Sequence, residues 1–202
     1  MIRHLLFDAD GVLQTIPGGG QLGRARPYLG DRSEEILGRL LTDELPSLRG
    51  ESDFEVDLRA AIERYAIDVD ADELYAQLWR AIEVAPEMVD LVHRVRSAGY
   101  GVHLGSNQHR QRAAYLRSTL GYDDLFDVSC YSYELGVAKP DPAYFVRAVE
   151  LIGAEPSSVL FIDDLADNVA GARAVGLQAE QWDLGLGPRA LTELLAGHGV
   201  VV

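Results

Sequence analysis

Apolar residues fall in short runs that stop abruptly at acidic or small polar residues, and longer stretches between them repeat at helical spacing. Leu5-Leu6-Phe7 is the first run and ends at Asp8, which reads as a buried strand with an acid group at its carboxyl end. Four more strands are predicted over residues 100–104, 128–131, 159–162 and 177–182. Helices are predicted over 86–98, with Pro86 in its first turn and Gly99 as its stop, and over 109–120. Asp141-Pro142 supplies an N-cap and a first-turn proline for another, a further helix runs to Val175, and the last spans 189–196. Between the first strand and Pro86 the pattern changes. Pro17-Gly18-Gly19-Gly20 breaks regular structure, and residues 31–84 read as helical with no strand. There Ser52-Asp53-Phe54-Glu55 has the form of a capping box, followed by Phe54, Leu58, Ile62 and Tyr65 at helical spacing. A second helix over 72–82 places Leu74, Leu78, Trp79 and Ile82 on one face.

Strands separated by helices predict an α/β fold, a Rossmann-like parallel sheet flanked by helices, interrupted by an all-helical insertion. The sheet domain is assigned to residues 1–16 and 86–202, and the insertion to 17–85. Ligands in such folds bind beyond the carboxyl ends of the strands. Asp8, Ser106 and Asp163-Asp164 each follow a strand directly, and Lys139 lies in the loop after another. Four loops thus bring polar groups to one edge of the sheet.

Those residue types suit phosphoryl transfer. One carboxylate of the Asp8/Asp10 pair can attack phosphorus while the other handles a proton, first for the leaving oxygen and then for water. Asp8, Asp163 and Asp164 would repel one another without a cation, and oxygen ligands suit Mg²⁺. Lys139 adds positive charge beside the nucleophile, and Ser106 offers a hydroxyl to a phosphate oxygen. Each element alone has an ordinary reading: the acid pairs and Ser106-Asn107 as turn or helix caps, Lys139-Pro140 as a solvated loop. Their joint occurrence in this order favours the chemistry.

Composition narrows the partners. The 202 residues are 48% hydrophobic and 25% charged, the balance of a globular protein that needs no disulfide staple. Cys130 is the only cysteine. It lies among apolar neighbours, which predicts packing rather than chemistry, and it fits a reducing compartment. A net charge of −14 disfavours nucleic acid as the main partner. No run of about 18 apolar residues is present to span a membrane, and residues 1–4 lack a signal-peptide layout. The expected location is therefore cytoplasmic. Oligomeric state is not legible.

Four segments together resemble the haloacid dehalogenase superfamily, whose members are mainly phosphatases: Phe7-Asp8-Ala9-Asp10-Gly11-Val12-Leu13, Leu104-Gly105-Ser106-Asn107, Gly136-Val137-Ala138-Lys139-Pro140-Asp141-Pro142 and Phe161-Ile162-Asp163-Asp164. The resemblance implies Asp8 as nucleophile and metal ligand, and Asp10 as general acid/base with its main-chain carbonyl on the metal. It implies Ser106, Asn107 and Lys139 at the phosphate, Lys139 also orienting Asp8. Asp164 becomes the remaining metal carboxylate, with Asp163 and Asn168 as supporting residues; many members carry an acid at the place of Asn168. The form from Asp163 to Ala172 is similar to the branch containing sugar-phosphate phosphatases and the phosphatase domain of soluble epoxide hydrolase. The insertion would be a cap that closes over a small phosphorylated metabolite such as a sugar phosphate. Dehalogenases of the superfamily lack the second acid, so Asp10 favours phosphate esters. A β-phosphoglucomutase-like mutase and a non-catalytic phospholigand-binding protein are the alternatives. His109-Arg110 is either a surface helix turn or a contact for a second anionic group of the substrate.

Overall fold

The computed structural model covers residues 1–202. Strand β1 (His4–Phe7) runs into a tight turn and β2 (Gln14–Thr15), after which come five helices: α1 (Gly20–Leu29), α2 (Ser33–Asp43), α3 (Leu45–Leu48), α4 (Phe54–Arg64) and α5 (Ala71–Leu78). The chain returns through β3 (Glu83–Val84) and then alternates: α6 (Pro86–Ser97), β4 (Gly101–Ser106), α7 (Arg110–Ser118), α8 (Tyr122–Leu125), β5 (Val128–Tyr131), α9 (Ser132–Leu135), α10 (Pro142–Ile152), β6 (Val159–Asp163), α11 (Ala166–Ala174), β7 (Gln178–Gln181) and α12 (Gly187–Gly197).

Five strands form a parallel sheet in the order β5-β4-β1-β6-β7. β1 is central, so both its faces are covered and its residues read as an unbroken apolar run. Leu5 and Phe7 point into one core with α6, α7 and α12, while Leu6 points into the other with α10 and α11. Each such fully buried side chain contributes about 1.5–3 kcal/mol. The carboxyl ends of β1, β4 and β6 therefore lie side by side, and the loops that follow them must converge.

The helices of residues 20–78 have a core of their own, built on Leu37, Leu40, Phe54, Leu58, Leu74 and Trp79 among others. Four expectations for this region are corrected in whole or in part. A strand is present: Glu83–Val84 pairs antiparallel with Gln14–Thr15, joining the way in to the way out of the helical unit. Two residues carry no detectable alternation, so periodicity is blind to them. Pro17, Gly18 and Gly19 do break regular structure, as the turn between β2 and α1, but α1 starts at Gly20 itself and tolerates Pro27. The cap of α4 is Asp53, whose carboxylate accepts from the N–H groups of Glu55 and Val56; Ser52 instead bonds Asp57. The second helix also stops early, at Leu78 rather than Ile82. Asp141 and Pro142 do cap and open α10, with Asp141 accepting from Ala143 N–H at 2.9 Å.

Candidate active site

The turn after β1 wraps around the Ala9 carbonyl, which accepts from Val12, Leu13 and Gln14 N–H. That turn separates the two acids. Asp8 stays at the strand end, 7% exposed, while Asp10 swings towards a cavity on the side of the helical unit. Gly11 makes the turn possible: its φ is +78°, and an added Cβ would collide with the Asp164 carboxylate.

Asp8 Oδ1 accepts from its neighbour's amide, Ala9 N–H, at 2.7 Å and lies 2.9 Å from Lys139 Nζ, while Oδ2 takes no hydrogen bond. Lys139 is the only lysine in the chain; every other basic side chain is arginine apart from the histidines. It is buried, and its ammonium also reaches Asp163 Oδ2 at 2.7 Å. Burial opposes its charge, but the two carboxylates outweigh that and raise its pKa. A compact ammonium can touch both acids where a forked guanidinium would not fit the same space.

Asp163 and Asp164 are adjacent but differently engaged. Asp163 is fully buried and accepts from Lys139 Nζ, Leu165 N–H and the Asn168 amide. Asp164 is half-buried, and no other residue donates to its carboxylate. Oxygens of Asp8, Asp163 and Asp164 lie within 4.8 Å of one another. Burial pushes the Asp8 carboxyl up, Lys139 pulls it back without cancelling that, and Asp163 adds to the rise. Burial, then the Asp163 charge, push Asp164 up to about 6. Three carboxylates against one ammonium leave excess negative charge in a low-dielectric site. A hard divalent cation held by Asp8 Oδ2 and Asp164 would offset it, and the donor set fits Mg²⁺.

Two further loops close the arrangement. Asn107 donates its amide N–H to the Lys139 carbonyl at 2.9 Å and accepts from Lys139 N–H at 2.8 Å. This reciprocal pair fixes the Lys139 loop to the end of β4. Gly171 lets α11 approach the Pro140 carbonyl closer than any side chain would allow. Ser106 is buried, and its hydroxyl accepts from Gln108 Nε2 at 2.9 Å, which leaves its proton for another acceptor.

Asp10 has a partner that sequence reading missed. Arg112 grips its carboxylate with two bonds, 2.6 Å and 2.7 Å, and Gln14 and Gln108 also donate to it. Burial would raise the Asp10 pKa; the Arg112 charge and these hydrogen bonds overturn that and hold it at about 2. Asp10 is therefore a carboxylate as seen here. Arg112 is itself buried and donates to Gln108 Oε1 and to the Trp79 carbonyl of the helical unit. The signal available in the sequence was the i,i+4 spacing of Gln108 and Arg112 just past Ser106.

The pair singled out instead, His109-Arg110, behaves otherwise. His109 is fully buried, caps α7 and stacks on Phe54 of the helical unit with ring centroids 4.1 Å apart. Burial drives its pKa down to about 3, so it is neutral. Arg110 is exposed, with its guanidinium over the Tyr133 ring. Neither borders the cavity beside Asp10, which measures about 640 Å³ and is lined by Ile16, Glu44, Leu48, Trp79 and Arg112 among others. Cys130 is buried, with its thiol pushed up to about 12 by burial, which disfavours the thiolate.

The haloacid dehalogenase-like hydrolase model matches residues 2–176, so the chain belongs to the haloacid dehalogenase-like hydrolases. Among curated relatives, Phosphatase MT3486 of Mycobacterium tuberculosis is 30% identical, over 88% of this chain and 86% of its own. A predicted HAD-like family hydrolase from Porphyromonas gingivalis superimposes with a TM-score of 0.81 at 26% identity, covering 96% of this chain and 98% of its own. A HAD family enzyme from Bacteroides thetaiotaomicron, solved in complex with magnesium and inorganic phosphate, has the same fold: TM-score 0.80, 22% identity, 95% and 99% coverage.

Proposed function

We propose that this chain is a Mg²⁺-dependent phosphomonoester hydrolase acting on a small phosphorylated metabolite through an aspartyl-phosphate on Asp8. The observation that carries the reading is a buried carboxylate with one oxygen free, held by the only lysine at 2.9 Å within a cluster of three acids. The related phosphatase and the magnesium- and phosphate-bound neighbour support it. Asp8, Asp164 and the Asp10 carbonyl would hold Mg²⁺, which when bound neutralises the charge on the phosphoryl group and the nucleophile.

Asp8 Oδ2 attacks phosphorus, and the bond from phosphorus to the leaving oxygen breaks. Lys139 keeps Asp8 oriented and, with the Ser106 hydroxyl, binds phosphate oxygens. Asn107 acts by locking the Lys139 loop. Asp163 and Asn168 position Lys139. Asp10 as a carboxylate gripped by Arg112 is in the form needed to take a proton from water in the second half of the reaction. To protonate a leaving group in the first half it must turn away from Arg112. Residues 17–85 act as the cap: they wall the cavity next to Asp10 and keep bulk water from the acyl phosphate.

Asp8→Asn tests the assignment. Hydrolysis of p-nitrophenyl phosphate with Mg²⁺ should fall by roughly 10⁴-fold or more, the order lost when a covalent nucleophile is removed. Turnover within tenfold of the unaltered protein rejects Asp8 as the nucleophile.

A further inference from the structure

Glu44, at the end of α2, is the one ionisable side chain in the cavity wall with no assigned task and no partner. It is nine-tenths buried, yet it borders the cavity, and its carboxylate takes no hydrogen bond. His109 Nε2 is 3.7 Å away, beyond hydrogen-bonding distance, and the Trp79 indole N–H lies close enough to lower the Glu44 pKa without closing a hydrogen bond of normal geometry. Both nitrogens are sealed from solvent, so they back the carboxylate without serving a ligand. A buried acid without a donor is costly unless something supplies one.

The charge around the cavity narrows what that something is. Arg112 is its only cationic wall residue, and both guanidinium faces that meet Asp10 are taken. Against it stand two carboxylates, Asp10 and Glu44, with Ile16, Leu41, Leu48 and Trp79 supplying apolar surface. A second anionic group on a substrate would meet net negative charge and find no free cation. Hydroxyl groups would find an acceptor.

We propose that Glu44 is the specificity residue of the site: it accepts hydrogen bonds from hydroxyl groups of a neutral polyol or sugar moiety and turns away phosphomonoesters that carry a carboxylate or second phosphate. This rests on the phosphatase reading above, deepening it to a substrate class.

Glycerol 3-phosphate and 3-phosphoglycerate make a matched pair, differing by a hydroxymethyl group against a carboxylate. With Mg²⁺ at pH 8.5, above the pKa of about 7 to which burial raises Glu44 so that its carboxyl is ionised, the unaltered protein should show kcat/KM at least about tenfold higher for glycerol 3-phosphate, the lower bound for a hydrogen bond to a charged group. Glu44→Gln keeps an acceptor oxygen but loses the charge, and should narrow that ratio about tenfold, with the change in KM rather than kcat. Glu44→Ala should lose about ten- to a hundredfold more on glycerol 3-phosphate than on p-nitrophenyl phosphate, whose turnover also reports that each variant is folded. Equal or reversed preference in the unaltered protein overturns the proposal without recourse to any variant. So does an unchanged ratio in Glu44→Gln. Failure to release phosphate from p-nitrophenyl phosphate would overturn the phosphatase reading itself and this one with it.

Discussion

Replacing Arg112 by methionine separates the two halves of the reaction. Arg112 fixes Asp10, the proposed proton-handling acid, with two bonds and ties it to Gln108 and the Trp79 carbonyl. Breaking a buried ion pair by removing one partner costs about 3–5 kcal/mol. The Asp10 side chain keeps 42% exposure and can rehydrate, so the cost here falls to about 2 kcal/mol. For a chain of this size that lowers the melting temperature by about 4–8 °C. The kinetic consequence is larger. Nitrophenolate leaves without a proton, so transfer of phosphate to Asp8 survives the substitution. Hydrolysis of the aspartyl-phosphate needs a carboxylate held against the attacking water, and misplacing it costs roughly 10²-fold. Stopped-flow mixing with p-nitrophenyl phosphate should then give a burst of about one nitrophenolate per enzyme followed by slow turnover. Arg112→Lys keeps charge but not the fork and should fall between the two. A folded Arg112→Met protein with no burst and a steady rate within threefold of normal would refute the role given to this clamp.

Mg²⁺ should stabilise the fold by relieving the carboxylate cluster, by about 2.7 kcal/mol at a hundred times its Kd, or a rise of roughly 5–10 °C in melting temperature. Asp164→Asn should lose most of that rise, which differential scanning fluorimetry with and without Mg²⁺ reads directly. Glu44 sets a pH dependence of stability. Burial raises its carboxyl from 4.5 to about 7, against the pull of Trp79 and Arg112. The folded state thus holds the proton more tightly, and stability declines between those two values and is level above them, by about 3 kcal/mol in all. Glu44→Gln has no such decline, so the melting temperature of the variant relative to the parent should climb between pH 5 and pH 8. A constant difference across that range would show that Glu44 does not titrate in this way.

Much of the sheet was legible because its strands are apolar on both faces and stop at residues that cannot remain in a core. Leu5-Leu6-Phe7-Asp8 announces both a central strand and the place where its chemistry begins. The helical unit was less legible. Glu83–Val84 is too short to alternate, and α1 begins at a glycine and contains a proline, against local propensity. Packing of Ala25 and Leu29 against the neighbouring helices overrides that propensity.

At the site, the sequence alone determined which residue types stand at which strand ends: Asp8, Ser106 and the Asp163-Asp164 pair follow from hydrophobic runs that end in polar groups, with Lys139 in a loop beyond another strand. Only the tertiary structure decided which of them share partners. It assigned Asp163 to Lys139 and Asn168, left Asp164 without a donor, and seated Asn107 on the Lys139 backbone. It also brought Arg112 and Glu44, far apart in the chain and unremarked in its pattern, to the same cavity as Asp10. The reason is physical. A strand end is a local event, written in a few consecutive residues, whereas an ion pair between a helix and a turn depends on how two layers pack. Charge without a neighbour is only surface, and the neighbour is chosen by the fold.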